Sequence, residues 1–432
     1  MTHAPAGSVA HGETLLFFTL LELAVIVLAG RIGAILARGC GQTAAAGEIL
    51  VGILLGPSLF GLIAPQTFHF VFRSAPPEPL QVLSSLGLVL LMFQVGLHFE
   101  FRHLRERANR RAVLGVGVVC LLVPFVLGFG FGYEAAPRLS PQANPLYSAL
   151  FVATAFSITA LPILGRILIE HRLAHEPIAV IAISAAAIND VVGWILLAVI
   201  TALTVGRYTG GGFALRIGLI AAYAIACLTL VRPLLKRVVR ASAPREGRMS
   251  SNLTGFMLVV IFVSAMLTFQ LGIFAIFGGF MMGVILYDEG EFVRAWRERI
   301  GDFVQVFFLP IFFTYTGLRT TIGSLDSAAA WGWCAVTVLL ATAGKLGGAY
   351  VAARLAGRSH PEAAALGFMM NTRALMELVV LNVGFDLGVI SQPMFTMLVI
   401  MAIISTVVTM PALRRYLPRA GIPVHMPHAR PE

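Results

Sequence analysis

The sequence has 432 residues, of which 58% are hydrophobic and 12% are charged, and its mean hydropathy is +0.87. Soluble domains carry about 25% charged residues, so this composition excludes an ordinary soluble protein. The formal net charge of +10 does not indicate a nucleic-acid-binding protein, because the basic residues are spread through short segments between apolar runs.

Apolar runs recur along the chain and predict an all-α polytopic membrane protein with 13 transmembrane helices. Each run can cross a hydrocarbon core of about 30 Å, and none alternates as a β-barrel strand would. In chain order the predicted spans are residues 14–37, 43–63, 80–99, 111–133, 146–169, 177–203, 213–235, 250–270, 272–287, 302–320, 328–355, 362–384 and 392–413. Residues 414–432 are expected to form a short cytoplasmic tail.

The distribution of basic residues predicts the orientation of these spans. Arginine and lysine concentrate in every second connection, such as residues 102–111 and 232–248. Under the positive-inside rule, this predicts a multi-pass protein of the cell (inner) membrane with its N-terminus outside and its C-terminus in the cytoplasm. The four cysteines lie singly, so they indicate neither a disulfide framework nor a metal site.

Three short segments of the first half match segments of the second half in the same order. Residues 47–55 align with 278–286, residues 96–97 with 317–318, and residues 159–164 with 373–378. We therefore expect one transmembrane domain, residues 14–413, that contains two inverted six-helix repeats. These are residues 14–203 and 250–413, joined by a linker helix at 213–235.

Asp190 is the only formally charged residue of the sixth predicted span, near whose middle it lies. A charge at the centre of a bilayer costs about 2.5 kcal/mol or more, so such residues usually serve transport. A carboxylate can bind Na⁺ or K⁺, and it can instead accept a proton. Asp190 is therefore the predicted site of a monovalent cation (the only metal expected) and of a proton. The alternative is a purely structural polar break at Asn189 and Asp190.

The fifth predicted span contains Ser157 and Thr159 shortly before Pro162. Proline removes a helical hydrogen bond, and a broken helix exposes carbonyls and hydroxyls that can replace the water shell of a cation. We expect Ser157 and Thr159 to be cation ligands for this reason. The alternative is an ordinary proline kink.

Three further charged residues lie inside predicted spans, and each is expected to neutralise an opposite charge within the membrane. Arg373 and Glu377 lie four residues apart in the twelfth span and can pair as a clamp where spans five and twelve cross. Direct cation binding by Glu377 is the alternative. Lys345, one of only two lysines, can lose its proton and is expected to neutralise Asp190 in the ion-free state. The alternative for Lys345 is a side chain that extends its amino group to the membrane surface.

Four motifs resemble those of the monovalent cation/proton antiporter superfamily, in particular its branch of Kef-type bacterial proteins and plant cation/H⁺ exchangers. They are GEILVGILLGP at 47–57, SITALPILGR at 157–166, ND at 189–190 and NTRALMELVVLN at 371–382. The resemblance implies a homodimer, a dimer domain, and a mobile core domain whose crossed broken helices are spans five and twelve. It also implies that Asp190 is the ion-binding aspartate, Asn189 its companion and Lys345 the membrane lysine.

Two departures from the family pattern affect what we expect of the charge moved in each cycle and of regulation. Electrogenic members carry a pair of aspartates, whereas this chain has Asn189 in the first position, which favours electroneutral exchange. The few residues after span thirteen leave no room for a Kef-type nucleotide-binding regulatory domain, which is therefore not expected.

The sequence thus predicts a secondary active Na⁺ or K⁺/proton antiporter that works by alternating access in membrane lipid. A cation channel or solute symporter on the same fold is the alternative. An enzyme is not expected, since an intramembrane aspartyl protease would need a second aspartate facing Asp190. Neither a cofactor nor a nucleic-acid partner is indicated.

Overall fold

The computed structural model describes residues 6–97, 110–173, 176–205, 210–242 and 249–424, which are helical almost throughout. The first half contains α1 (Ala6–Gly39), α2 (Ala44–Leu54), α3 (Phe60–Ile63), α4 (Pro65–Phe72), α5 (Glu78–Leu97), α6 (Arg110–Leu139), α7 (Pro145–Ser157), α8 (Leu161–Glu170) and α9 (Pro177–Val205). The second half contains α10 (Gly210–Ala226), α11 (Arg232–Ala241), α12 (Ser251–Gln270), α13 (Ile276–Leu286), α14 (Gly290–Trp296), α15 (Leu309–Arg319), α16 (Ala328–Leu355), α17 (His360–Met370), α18 (Leu375–Asp386) and α19 (Gln392–Tyr416).

The predicted all-α polytopic membrane fold is confirmed. Within the described ranges, nine helices are long and apolar enough to cross a bilayer, or ten if the bent pair Gly290–Gly301 and Val304–Ser324 is one span. The predicted count was higher because spans two, five and nine contain short apolar helices, namely α2, α7 and α13, of 11, 13 and 11 residues.

The bounds of three predicted segments differ from the structure. The predicted linker helix, 213–235, extends from Gly210 to Ala241, because one π-helical turn at Cys227–Val231 joins α10 to α11. The tenth predicted span, 302–320, is the second arm of the bent pair, whose arms meet at 47°. π-Helical turns interrupt the regular helical hydrogen bonds there, and such turns are a common cause of sharp bends. The predicted tail, 414–432, begins inside α19, and its residues 425–432 lie outside the described part of the chain.

The helices pack as two groups. In the first, which we call the scaffold layer, α1 and α15 pack on α2, while α13 packs on α5 and α12. In the second, the core layer, α6 packs on α7, α9 and α16, while α17 packs on α16 and α19. The broken spans five and twelve, α7 with α8 and α17 with α18, belong to the core layer.

Glycines allow the scaffold helices to approach each other closely. A Cβ on Gly317 of α15 would lie 2.1 Å from the carbonyl oxygen of Gly52 in α2, and one on Gly283 of α13 would lie 2.1 Å from that of Phe93 in α5. Both contacts exclude any larger side chain. The glycines shared by the segments 47–55 and 278–286 therefore serve close helix packing.

Candidate ion-binding site

Two broken helices cross in the interior of the core layer. α7 ends at Ser157 and α8 begins at Leu161, while α17 ends at Met370 and α18 begins at Leu375. The backbone N–H of Ala160 donates to the carbonyl oxygen of Thr372 at 3.0 Å. This hydrogen bond joins the two unwound segments, 158–160 and 371–374, so the breaks lie against each other.

The two breaks have different causes in the sequence. Pro162 is the second residue of α8, a position where its missing N–H leaves no helical bond unmade, so the break precedes the proline instead of following from a kink at it. Span twelve has no proline at its break. There Ala374, which immediately precedes α18, adopts φ 90° and ψ −118°, a conformation that costs a non-glycine residue about 1–3 kcal/mol.

Arg373 and Glu377 form the ion pair that their spacing predicts. Their side chains are fully buried, with Nη1 of Arg373 at 3.2 Å from Oε2 of Glu377. The guanidinium also donates to the carbonyl oxygens of Ala155, Phe156 and Ala341, at 2.9, 3.0 and 3.2 Å. Those of Ala155 and Phe156 belong to the last turn of α7, where no helical N–H follows to bond them. Arg373 therefore fastens one broken helix to the other.

Asn189 and Asp190 lie on α9, beside the break of span five. They are 0% and 1% exposed. A Cβ on Gly193, one turn further along α9, would lie 2.7 Å from Cγ1 of Ile158 in the unwound segment. The Asp190 carboxyl lies within electrostatic range of Lys345 and of the backbone N–H of Leu161 at the start of α8, but neither donates a hydrogen bond to it. The predicted site residue thus adjoins the crossing.

Several buried polar atoms at this place have no hydrogen-bond partner among the described residues. They are both carboxyl oxygens of Asp190, both amide atoms of Asn189 and Oδ1 of Asn371. Buried polar side chains are nearly always hydrogen-bonded, so a group of unpartnered ones requires a ligand, an ion or water. Oxygen atoms of carboxylates, amides and carbonyls are the ligands that hard cations prefer.

Ser157 and Thr159 are fully buried in the same place. The Ser157 hydroxyl is 2.7 Å from the carbonyl oxygen of Ala153, and the Thr159 hydroxyl donates to that of Met370 at 3.4 Å. Because these bonds use the hydroxyl protons, the oxygen lone pairs are left for a cation.

Lys345 is 0% exposed on α16, which excludes the alternative of an amino group extended to the membrane surface. Its Nζ donates to the carbonyl oxygen of Ser157, the last residue of α7. Its expected neutralisation of Asp190 is not a direct salt bridge in this structure, because neither Asp190 oxygen has a partner within the described chain. The Lys345 amino group thus lies at the end of α7, within electrostatic range of Asp190.

Asn371 is a further candidate ligand, beyond the residues expected from the sequence. The signal was present in the repeat, because the alignment of 159–164 with 373–378 also places Asn371 opposite Ser157. As the C-cap of α17, Asn371 occupies the end of one broken helix as Ser157 occupies the end of the other. It joins the predicted residues as a candidate ligand.

The chain is similar to known transport proteins along most of its length. The sodium/hydrogen exchanger transmembrane family matches residues 23–417. The chain is 39% identical over 408 residues to the Na⁺/H⁺ antiporter NhaS4 of Synechocystis sp., covering 94% of this chain and 98% of that protein. It is 35% identical over 396 residues to cation/H⁺ antiporter 17 of Arabidopsis thaliana, covering 91% of this chain but 47% of the plant protein.

Among solved structures, the sodium proton antiporter MjNhaP1 from Methanocaldococcus jannaschii at pH 8 superposes with a TM-score of 0.65. The sequences are 15% identical, and the match covers 93% of this chain and 97% of that one, which establishes the shared fold. The family consists of transporters that cross the membrane several times, and not of enzymes. On the match of 23–417 and the identity to NhaS4, this chain belongs to the family of transmembrane sodium/hydrogen exchangers.

Proposed function

We propose that the protein is a secondary active antiporter, which exchanges Na⁺ or K⁺ for protons by alternating access, and that Asp190 binds either ion in turn. The observation that carries the proposal is the Asp190 carboxyl, buried beside the crossed breaks with both oxygens unpartnered among the described residues. A buried carboxylate requires a counter-charge. A proton or a cation can supply it, and either one excludes the other.

The cation would be held by Asp190 together with other buried oxygen atoms near the crossed breaks. The side chains of Asn189, Ser157 and Thr159 supply them, and Asn371 adds an amide oxygen. Membership in the exchanger family supports this assignment. Selectivity between Na⁺ and K⁺ then depends on the size of the oxygen cage and on the number of its ligands.

The remaining charges form no direct salt bridge with Asp190 among the described residues. Arg373 is neutralised by Glu377 and bonded to carbonyl oxygens of α7, so it acts as a clamp between the broken helices. Lys345 bonds the Ser157 carbonyl oxygen at the end of α7 and interacts electrostatically with Asp190. It would balance the carboxylate when no cation is bound.

Asn189 supports electroneutral exchange. An amide does not titrate, so Asp190 alone changes its proton occupancy at this pair of positions. One cation then replaces one proton, and no net charge crosses the membrane.

We further propose 13 spans, with the N-terminus outside and the C-terminus inside, on the distribution of basic residues. Contacts at the ends of the helices are consistent with this alternation. Segments expected outside contact one another, as when the Ser58 hydroxyl donates to the Thr320 carbonyl oxygen at 2.7 Å. Segments expected inside do the same, as when Arg299 donates to Oγ of Ser251 at 3.0 Å. α2, the α7–α8 pair and α13 complete the alternation as short or broken spans.

The two layers support an inverted repeat with a mobile core domain. Each repeat contributes a broken span to the core layer and a glycine-rich helix to the scaffold layer. The outer surfaces of α1 and of the linker helix carry large exposed apolar side chains, such as Leu28, Leu36, Leu230 and Leu234. These surfaces would contact lipid and the second subunit of the homodimer.

Transport in proteoliposomes tests the function. With a preset ΔpH and a pH-sensitive dye, we expect Na⁺, K⁺ or both to dissipate the gradient, with Li⁺ and Rb⁺ defining selectivity. Asp190→Asn should abolish this response, because an amide neither carries a proton nor balances a cation. Asp326→Asn is the matched control, since Asp326 is exposed outside the site, and it should transport normally.

Two outcomes would contradict the proposal. If no monovalent cation dissipates the ΔpH through the wild-type protein, the protein is not a monovalent cation/proton antiporter. An Asp190→Asn variant that keeps conducting cations would instead favour the alternative of a channel.

A further inference from the structure

Arg319 connects the two layers at the end of α15. It is the last residue of that scaffold helix, and its guanidinium reaches α18 of the core layer. Nη1 donates to Oδ1 of Asn382 at 3.0 Å, and Nη2 donates to Oδ1 of Asp386. Asn382 and Asp386 are four residues apart, so they lie on one face of α18.

Other polar contacts surround this connection. The Asn382 amide donates to Oγ1 of Thr316 at 2.8 Å, one turn before Arg319 on α15. Nε2 of Gln392, at the start of α19, donates to the carbonyl oxygen of Arg319 at 2.5 Å. The Arg319 guanidinium also lies over the ring of Phe385, 4.7 Å from its centroid. We call the contact surface formed by Thr316, Arg319, Asn382, Phe385, Asp386 and Gln392 the outer seam.

Burial shows that Arg319 is the centre of the outer seam. Its side chain is 16% exposed, against 41% for Asp386. An exposed carboxylate contributes little by itself, but a mostly buried guanidinium that binds several acceptors and an aromatic face holds them together. The seam therefore depends more on Arg319 than on Asp386.

The opposite face of the protein also carries contacts between the two layers. Arg166 of α8, in the core layer, lies with Nη1 3.7 Å from Oε2 of Glu48 in α2 of the scaffold layer. On the same face, Nε2 of Gln42, between α1 and α2, donates to the carbonyl oxygen of Val407 in α19 of the core layer at 3.1 Å. Both faces thus carry contacts between the two layers, and the distribution of basic residues assigns the face of Arg319 to the outside.

We propose that Arg319 is a positioning residue that keeps the outer seam closed, and that its release from Asn382 and Asp386 opens the site to the outside. α18 begins at the crossed breaks and ends at the seam, so it cannot leave α15 while these bonds hold. The inference rests on the proposed antiport function. In that function, Arg319 would set the balance between the outward-open and the inward-open state.

The test measures cation affinity separately on each side of the membrane. Right-side-out and inside-out vesicles give the apparent KM for the external and the internal cation. A state that is rarely populated binds with an apparent affinity reduced by its population. Arg319→Gln should populate the outward-open state, so the external KM should fall about threefold to tenfold while the internal KM stays equal or rises.

Three variants make the test specific. Asp386→Asn should shift the external KM in the same direction by a smaller factor. Because the Asp386 side chain is exposed, we expect this variant to fold normally. Arg319→Lys keeps the charge but cannot bind both acceptors in a fork, so it should restore only part of the wild-type value. Arg166→Gln, on the opposite face, should shift the balance the other way and raise the external KM.

A merely structural Arg319 would give a different pattern. Equal changes of both KM values, or unchanged KM values in Arg319→Gln and Asp386→Asn with normal wild-type exchange, would overturn the inference. Absence of exchange in the wild type would instead contradict the proposed function, so the two failures are distinguishable.

Discussion

At the scale of single residues, we propose different roles for the neighbouring positions 189 and 190. Asp190 would supply the charge that a proton or cation balances, and Asn189 an amide that cannot titrate. Both side chains are buried and unpartnered among the described residues, so we expect a change at either position to act directly on ion binding.

Asn189→Asp should therefore change how much charge moves in each cycle. A second carboxyl beside Asp190 can carry a second proton, so exchange should become electrogenic. The rate of ΔpH dissipation in proteoliposomes should then depend on the membrane potential set by an ion-selective ionophore, whereas the wild-type rate should not. An Asn189→Asp variant that is active but insensitive to potential would refute the role given to this amide.

At the scale of elements, the crossed breaks are held by a charged side chain in place of helical hydrogen bonds. Arg373 bonds three carbonyl oxygens on two other helices and pairs with Glu377. Removing one member of a buried pair leaves the other as an uncompensated charge, which typically costs about 3–5 kcal/mol.

Glu377→Gln and Arg373→Gln should both lower the apparent Tm of the purified protein in detergent, and Arg373→Gln should lower it more because it also frees carbonyl oxygens. Arg358→Gln is the matched control. It breaks another Arg–Glu pair of the same spacing, with Glu362, but the partners are 3.6 Å apart and 25% exposed. Such a partly exposed ion pair contributes at most about 1 kcal/mol to the free energy of unfolding. Equal Tm losses for Arg373→Gln and Arg358→Gln would show that the buried pair is no clamp.

The elements also show what could be predicted from sequence. The i, i+4 spacing of Arg373 and Glu377 predicts their contact, and the repeat predicts a break in span twelve although no proline marks it. The bond from Lys345 to the Ser157 carbonyl oxygen could not be foreseen, because it depends on how α16 packs on α6 and α7. The same holds for Arg319 and Asp386, which are 67 residues apart in the chain.

At the scale of the whole molecule, the apolar runs predict a membrane protein. Several of these runs are longer than the helices that they contain. The helices of spans two and nine have 11 residues each, and span five is divided where its backbone unwinds. Glycines in spans two and nine let neighbouring helices of the scaffold layer pack closely. Asp190 lies in the core layer, and we propose that movement of this layer against the scaffold exposes it to either side.

The central claim is that a proton and a cation compete for Asp190. The apparent KM for Na⁺ or K⁺, measured in proteoliposomes over a range of pH equal on both sides, tests it most directly. Competition predicts that KM rises as the pH falls, in proportion to the proton concentration once protons occupy the site, while the maximal rate at saturating cation stays constant. A KM that is independent of pH, with only the maximal rate changing, would contradict the account.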